Sequence, residues 1–514
     1  MWLRQPIISG VNNNKSNLGT LFHPSVTDDQ KSYRQIFKAT SLFGGVQAFN
    51  IVISVIRSKF VAVLLGPAGM GIAGLLNSTT GFISALTNFG LGTSAVKNVS
   101  AASATGEDVR VQKIVSVLRR LVWITGLLGM VLTAALSPWL SQITFGNRDF
   151  TFAFIWISVT LLFRQLSSGQ LVVLQGLRKL KLLARANVTG SLIGLFIAIP
   201  VYYIWRLDGI VPVIIISSLT SMLLSWYFAR RAGVKTVSVP REETLAEGKE
   251  MLKMGFMISL SGLIASAVSY LVRIYISNTG GVEQVGLYTA GFAIIGTYVG
   301  MIFTAMSTDY YPRLSAVAHD NLKSRELMNQ QAEVAILILA PILAIFLIFI
   351  NWLVILLYST KFVAVNEMIH WAALGMYFKA ASWSISFILL AKGASKVFLW
   401  NELAANLYVM IFNVLGYRFA GLEGLGISYL AAYFAYFIQV FILARIKYSF
   451  SFNIVFYRVA GIQLLIGLLC FTVMRLLSSP WTYVLGSVLI IISLSCSFRE
   501  LDRRIDLRTL FKRQ

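Results

Sequence analysis

Acidic side chains are scarce in this chain: 21 Asp and Glu stand against 44 Lys and Arg in 514 residues. No carboxylate falls deep in an apolar segment beside a basic residue. Cysteine is nearly absent. Cys470 and Cys496 both lie in apolar runs, which excludes a disulfide framework and a thiolate metal site. The three histidines, His23, His319 and His370, are scattered without metal-ligand spacing. No GxxxxGK[ST] loop occurs, which excludes an ATP motor within the chain, and no cofactor is expected. Charged residues make up only 13% of the sequence.

What is abundant is apolar surface. Hydrophobic residues reach 57% and mean hydropathy is +0.73, values that fit a polytopic membrane protein and no soluble class. A bilayer-spanning helix needs about 20 apolar residues. Fourteen such segments are expected between residues 40 and 498, separated by turn signals such as Gly66-Pro67-Ala68-Gly69 and Asn278-Thr279-Gly280-Gly281. The fold class expected is therefore all-α: a cytoplasmic tail over 1–39, a first six-helix bundle over 40–229 and a cytoplasmic linker over 230–254. A second six-helix bundle follows over 255–447, then two additional transmembrane helices over 448–498 and a basic cytoplasmic tail over 499–514. The linker carries acidic and apolar residues at helical spacing and is expected to hold a short amphipathic helix.

The net charge of +23 does not point to nucleic acid, because it is distributed as loop charge is in membrane proteins. With the N-terminus placed in the cytoplasm, cytoplasmic segments hold 34 of the 44 Lys and Arg. The opposite loops hold five: Arg148, Arg206, Lys361, Arg418 and Arg475. The positive-inside bias predicts both termini in the cytoplasm.

The two halves resemble each other at an offset of 215 residues. Gly71-Ile72 corresponds to Gly286-Leu287, Arg164 to Lys379 and Lys181 to Lys396, with Arg57 and Arg273 similarly placed. Six spans separate equivalent positions, so the repeats are parallel and related by a pseudo-two-fold axis normal to the membrane. Two such bundles are expected to enclose a central cavity and to alternate its access by rocking.

Five basic residues remain inside apolar segments: Arg57, Lys59, Arg164, Arg273 and Lys379. A mid-bilayer cation costs roughly 2.5–3.5 kcal/mol on insertion scales and ordinarily faces a wet cavity with an anionic partner. The chain offers few such partners, so the anion is expected to be a substrate. Guanidinium and ammonium groups both suit phosphate. Arg57, Arg164, Arg273 and Lys379 are the expected pyrophosphate contacts, with Lys59, Asn50, Asn88, Gln165 and Trp383 as secondary substrate contacts. Polar residues within spans otherwise join helices to one another. Asp309 and Glu402 are the candidates for an ion-coupling site.

Several runs resemble Wzx-type O-antigen and lipid III flippases. They are Arg57–Gly74 (RSKFVAVLLGPAGMGIAG), Phe145–Phe150 (FGNRDF), Tyr311–Ser315 (YPRLS), Leu356–Phe362 (LLYSTKF) and Leu389–Ser395 (LLAKGAS). The resemblance covers roughly residues 40–447. It implies membership of the multidrug/oligosaccharidyl-lipid/polysaccharide exporter superfamily, a two-bundle fold and no enzymatic reaction. It also implies a substrate, an undecaprenyl-pyrophosphate-linked oligosaccharide moved to the outer leaflet of a bacterial inner membrane. Expected partners are this lipid-linked substrate, membrane lipids, and polysaccharide polymerase and chain-length proteins. Two sister activities stand beside it, lipid II flipping and multidrug export. Exporters of cationic drugs use deep carboxylates, which are missing here. A glycan polymerase needs a large external loop, and the external loops are short.

Overall fold

A computed structural model describes residues 26–505, with side chains from residue 49 to 503 apart from those of Tyr298 and Thr308. The first 25 and last nine residues, which hold most of the expected N-terminal tail and part of the C-terminal one, lie outside the described residues. No strand occurs among the described residues. That is the physical consequence of the composition: in hydrocarbon every backbone N–H and C=O must be satisfied within its own segment. The helices are α1 (Val26–Thr87), α2 (Leu91–Ala104), α3 (Asp108–Ala135), α4 (Ser137–Phe145) and α5 (Thr151–Gly176). Next come α6 (Leu180–Trp205), α7 (Ile210–Arg230), α8 (Arg241–Gly280), α9 (Val282–Phe292) and α10 (Gly300–Ala316). The chain continues with α11 (Asn321–Leu357), α12 (Val365–Ala391), α13 (Ser395–Tyr448), α14 (Ile454–Leu476) and α15 (Trp481–Ile505).

Eleven of the helical stretches are long and apolar enough to cross a membrane, against the fourteen spans expected. Three of the eleven are interrupted where the sequence placed span boundaries. α1 breaks at Gly66, whose φ of 68° is open to glycine and whose neighbour is Pro67. A short turn at Arg206–Gly209 separates α6 from α7. α13 breaks at Ala420 and Gly421 and folds back on itself, since the Ser428 hydroxyl donates to the Phe412 carbonyl at 2.6 Å. In a straight helix those residues would lie about 24 Å apart. The segment between the halves has a non-helical part and a helical part. Residues 231–240 are non-helical, and α8 runs unbroken from Arg241 into its apolar stretch, so the amphipathic segment is the start of that helix and not a separate one. It docks on α3 through Lys113–Glu243 (2.8 Å) and Arg120–Thr244 (2.8 Å).

The two halves meet along a symmetric seam. A Cβ on Gly71 would collide with the backbone oxygen of Val282, and one on Gly286 with that of Pro67. These are equivalent pairs, because residues 67 and 282 stand 215 apart, as do residues 71 and 286. Gly74 faces Thr289, its own equivalent, with Oγ1 3.0 Å from where a Cβ would sit. A contact in which i meets j′ and j meets i′ is the signature of a two-fold relation.

Loops expected on one side touch one another. Arg206 donates to the Leu64 carbonyl at 3.2 Å beside the Gly66 break, and Lys361 lies against Gly66. Asn278 donates to the Ile143 carbonyl at 2.8 Å. At the opposite end Lys392 bonds Asn321 at 2.7 Å and Asn329 bonds Ser451 at 3.1 Å. The additional helices α14 and α15 pack on α11 and α12. Arg475 bridges Glu367 (2.7 Å) and Glu423 (2.6 Å), and Trp352 donates to Tyr483 at 3.0 Å.

Candidate functional site

Between the halves lies a cavity of about 1160 Å³ lined by α1, α2 and α5 to α9. Three of the four expected pyrophosphate contacts face it together: Arg57, Arg164 and Arg273. Among the described residues no Asp or Glu lines it. The Arg164 and Arg273 guanidiniums are held by neutral groups. Arg164 reaches across from α5 to α1, donating to Asn77 Oδ1 at 2.9 Å and to Thr80 Oγ1 at 3.5 Å. Arg273 bonds the carbonyl (3.0 Å) and the hydroxyl of Ser269 one turn earlier, and it lies 5.4 Å from the centre of the Tyr288 ring. Arg57 crosses α6 at Gly194, where a Cβ would stand 2.9 Å from its Nη2. The Nε atoms of Arg57 and Arg273 are buried without a hydrogen-bond partner. Among the described residues none of the three makes an ion pair. Dipoles alone offset only part of the cost of burying a cation.

Lys379 sits apart from the three arginines. It lies in a neighbouring pocket of about 360 Å³ that shares Ala265 with the central cavity and also holds Trp383 and Glu402. Its ammonium is 4.9 Å from the Tyr433 ring centre, 5.7 Å from that of Phe303 and 5.8 Å from that of Tyr429, whose hydroxyl it meets at 3.3 Å. This aromatic cage supplies part of the stabilisation that an anion supplies elsewhere. Glu402 accepts from Tyr436 at 2.9 Å. Asp309 is 74% exposed and pairs with Arg313 at 3.1 Å on the same helix.

The secondary contacts scatter. Lys59 donates to the Ile355 carbonyl at 2.9 Å. Asn88 caps its own turn, accepting from the Gly90 amide at 2.6 Å. Gln165 donates to Thr125 at 2.9 Å inside the α3–α5 packing. Asn50 is half-buried, with its Oδ1 buried and unpartnered, and does not line the cavity.

A family of polysaccharide biosynthesis proteins matches residues 60–370, more than half of the chain. The chain belongs to this family. Its relatives include the lipid III flippase of Escherichia coli (strain K12), 22% identical over 394 residues, covering 74% of this chain and 91% of that protein. Two solved structures share the fold. One is an inward-facing multidrug resistance MATE transporter of the MOP superfamily, with a TM-score of 0.67 and 16% identity, covering 78% of this chain and 94% of that one. The other is the lipid II flippase MurJ in an inward closed conformation, with a TM-score of 0.64 and 13% identity, covering 90% and 99%. The motif resemblance read from the sequence holds, and the comparisons set this family member among membrane transporters, not enzymes.

The sequence reading passed over the serines. Nine line the central cavity of this family member, among them Ser217, Ser218 and Ser221 on α7 and Ser266 and Ser269 on α8. The signal was present in the spacing. Ser266, Ser269 and Arg273 recur at i, i+3 and i+7, one face of a helix that Ser259 and Ser277 continue.

Proposed function

We propose that this protein flips an undecaprenyl-pyrophosphate-linked oligosaccharide, a unit of surface polysaccharide, from the inner to the outer leaflet of the bacterial inner membrane. The observation that carries the reading is the convergence of Arg57, Arg164 and Arg273 on one large cavity without a carboxylate. Pyrophosphate is the chemical match, because several guanidinium forks can share its oxygens. The serine hydroxyls suit sugar hydroxyls, and the isoprenoid tail stays in lipid. A cationic drug would meet three like charges there, so multidrug export is the poorer reading despite the shared fold.

The mechanism is alternating access about the Gly71–Val282 and Pro67–Gly286 seam. That seam lies beside the Gly66 and Gly281 turns and closes the end of the cavity that carries them, which the distribution of Lys and Arg assigns to the periplasm, with both termini in the cytoplasm. Bound pyrophosphate neutralises the arginines and lowers the cost of closing the opposite end around them. It acts only through its different affinity for the two states. Glu402, half-buried in the same pocket as Lys379, is the candidate for coupling to an ion gradient.

The test uses purified protein in proteoliposomes with three cargoes: an undecaprenyl-pyrophosphate oligosaccharide, lipid II and a cationic dye. The reading expects protein-dependent movement of the first. Robust movement of the dye or of lipid II, with none of the oligosaccharide, overturns it.

A further inference from the structure

A second cationic cavity, of about 860 Å³, opens on the first half and shares no lining residue with the central one. It lies between α3, α5, α7 and the non-helical segment 231–240. α5 serves both cavities with opposite faces: Arg164, Ser167 and Ser168 point to the central one, Leu166, Gly169 and Gln170 to this one. Arg119, Arg230 and Lys235 line it, and among the described residues no Asp or Glu does. Arg119 is pinned in place, its Nη1 bonding the Thr236 hydroxyl, while its Nε is buried with no partner. Arg230 stacks over Trp226 at 4.6 Å.

The surroundings say what kind of anion fits. Trp123 and Trp226 line the cavity at 49% and 47% exposure, and Ile124, Leu127 and Leu223 stand exposed beside them on the apolar helices α3 and α7. Half-exposed tryptophans on spans, next to a basic loop, mark a membrane interface. A basic pocket between spans at the cytoplasmic interface is the arrangement that holds acidic lipid headgroups. A soluble anion would use the cations and leave the apolar rim unused. We infer that this crevice binds an acidic glycerophospholipid, its phosphodiester between Arg119, Arg230 and Lys235 and its acyl chains along the exposed face of α3 and α7. The lipid would tie segment 231–240, which joins the two halves, to the first of them. This site stands independently of the flipping activity.

Amide hydrogen exchange of the full-length protein in nanodiscs tests it. Amides of residues 232–238 are expected to exchange about tenfold more slowly in phosphatidylglycerol than in phosphatidylcholine. The difference should vanish in Arg230→Gln/Lys235→Gln, which leaves the Arg119–Thr236 bond intact. Equal exchange of the wild-type protein in the two lipids overturns the proposal. So does a difference that survives in the double variant, which would put the lipid elsewhere. Equal protection in phosphatidylcholine by added glycerol phosphate would show a free-anion site and overturn the lipid assignment.

Discussion

Arg57, Arg164 and Arg273 meet only neutral partners among the described residues, and that fixes the sign of what their loss does. Each is only half-buried, and replacing a partly desolvated cation that no carboxylate compensates by an apolar side chain of similar size removes a desolvation cost without breaking a pair. Arg57→Met is therefore expected to raise the melting temperature of the empty protein while slowing transport, a combination that a merely structural arginine would not give. Arg164→Ala is expected to slow transport by about 10–100-fold, the equivalent of one or two charge-assisted hydrogen bonds to the cargo. Arg164→Lys keeps the charge without the fork and should fall between. Gln165→Leu is the contrast: it removes the bond to Thr125 and should cost about 1 kcal/mol of stability with transport unchanged. At this scale the sequence was half legible. Charge in an apolar run singles out Arg57, Arg164 and Arg273 without a structure. It does not separate them from Lys379, because the Phe303, Tyr429 and Tyr433 rings come from elements distant in sequence. Asn88, Gln165 and Lys59 were ambiguous for a related reason. A single chain shows that a polar group lies in a span but not whether a carbonyl, a hydroxyl or a cargo stands opposite it.

Helices carry the symmetry. The 215-residue offset is visible in Gly71 and Gly286, and the same offset governs which backbone each glycine touches. Gly71→Val should force the seam apart at a cost of about 1–3 kcal/mol, as overpacking does elsewhere. The population should then shift towards a state open at the Gly66 end. In a cysteine-free background, Thr289→Cys, which lines the cavity, should be labelled faster by an impermeant maleimide from that side when Gly71→Val is present. Unchanged labelling would mean that the seam is not the moving closure. Arg475 ties α14 to α12 and α13 through two carboxylates that are partly exposed. Arg475→Ala should cost only about 1 kcal/mol, read as a small drop in melting temperature. Span boundaries were legible at Gly66 and Gly281 because a positive φ there suits glycine. The helical spacing within 230–254 was legible as well, but not that this helix runs on into the apolar stretch of α8, because charge density alone does not break a helix.

Across the whole molecule, composition and the positions of Lys and Arg were enough for an all-helical, two-part membrane protein with a cationic interior. They could not disclose the serine lining or the lateral crevice, each assembled from three or more elements. The central claim is that the arginine cavity carries the pyrophosphate of a lipid-linked glycan. Its most direct measurement is flipping of an undecaprenyl-pyrophosphate oligosaccharide in proteoliposomes, read by an impermeant glycosidase. Wild-type protein is compared with a folded Arg57→Ala/Arg164→Ala/Arg273→Ala variant. The account predicts rapid exposure with the wild type and exposure at the protein-free background with the variant. Equal exposure by the two proteins would contradict it.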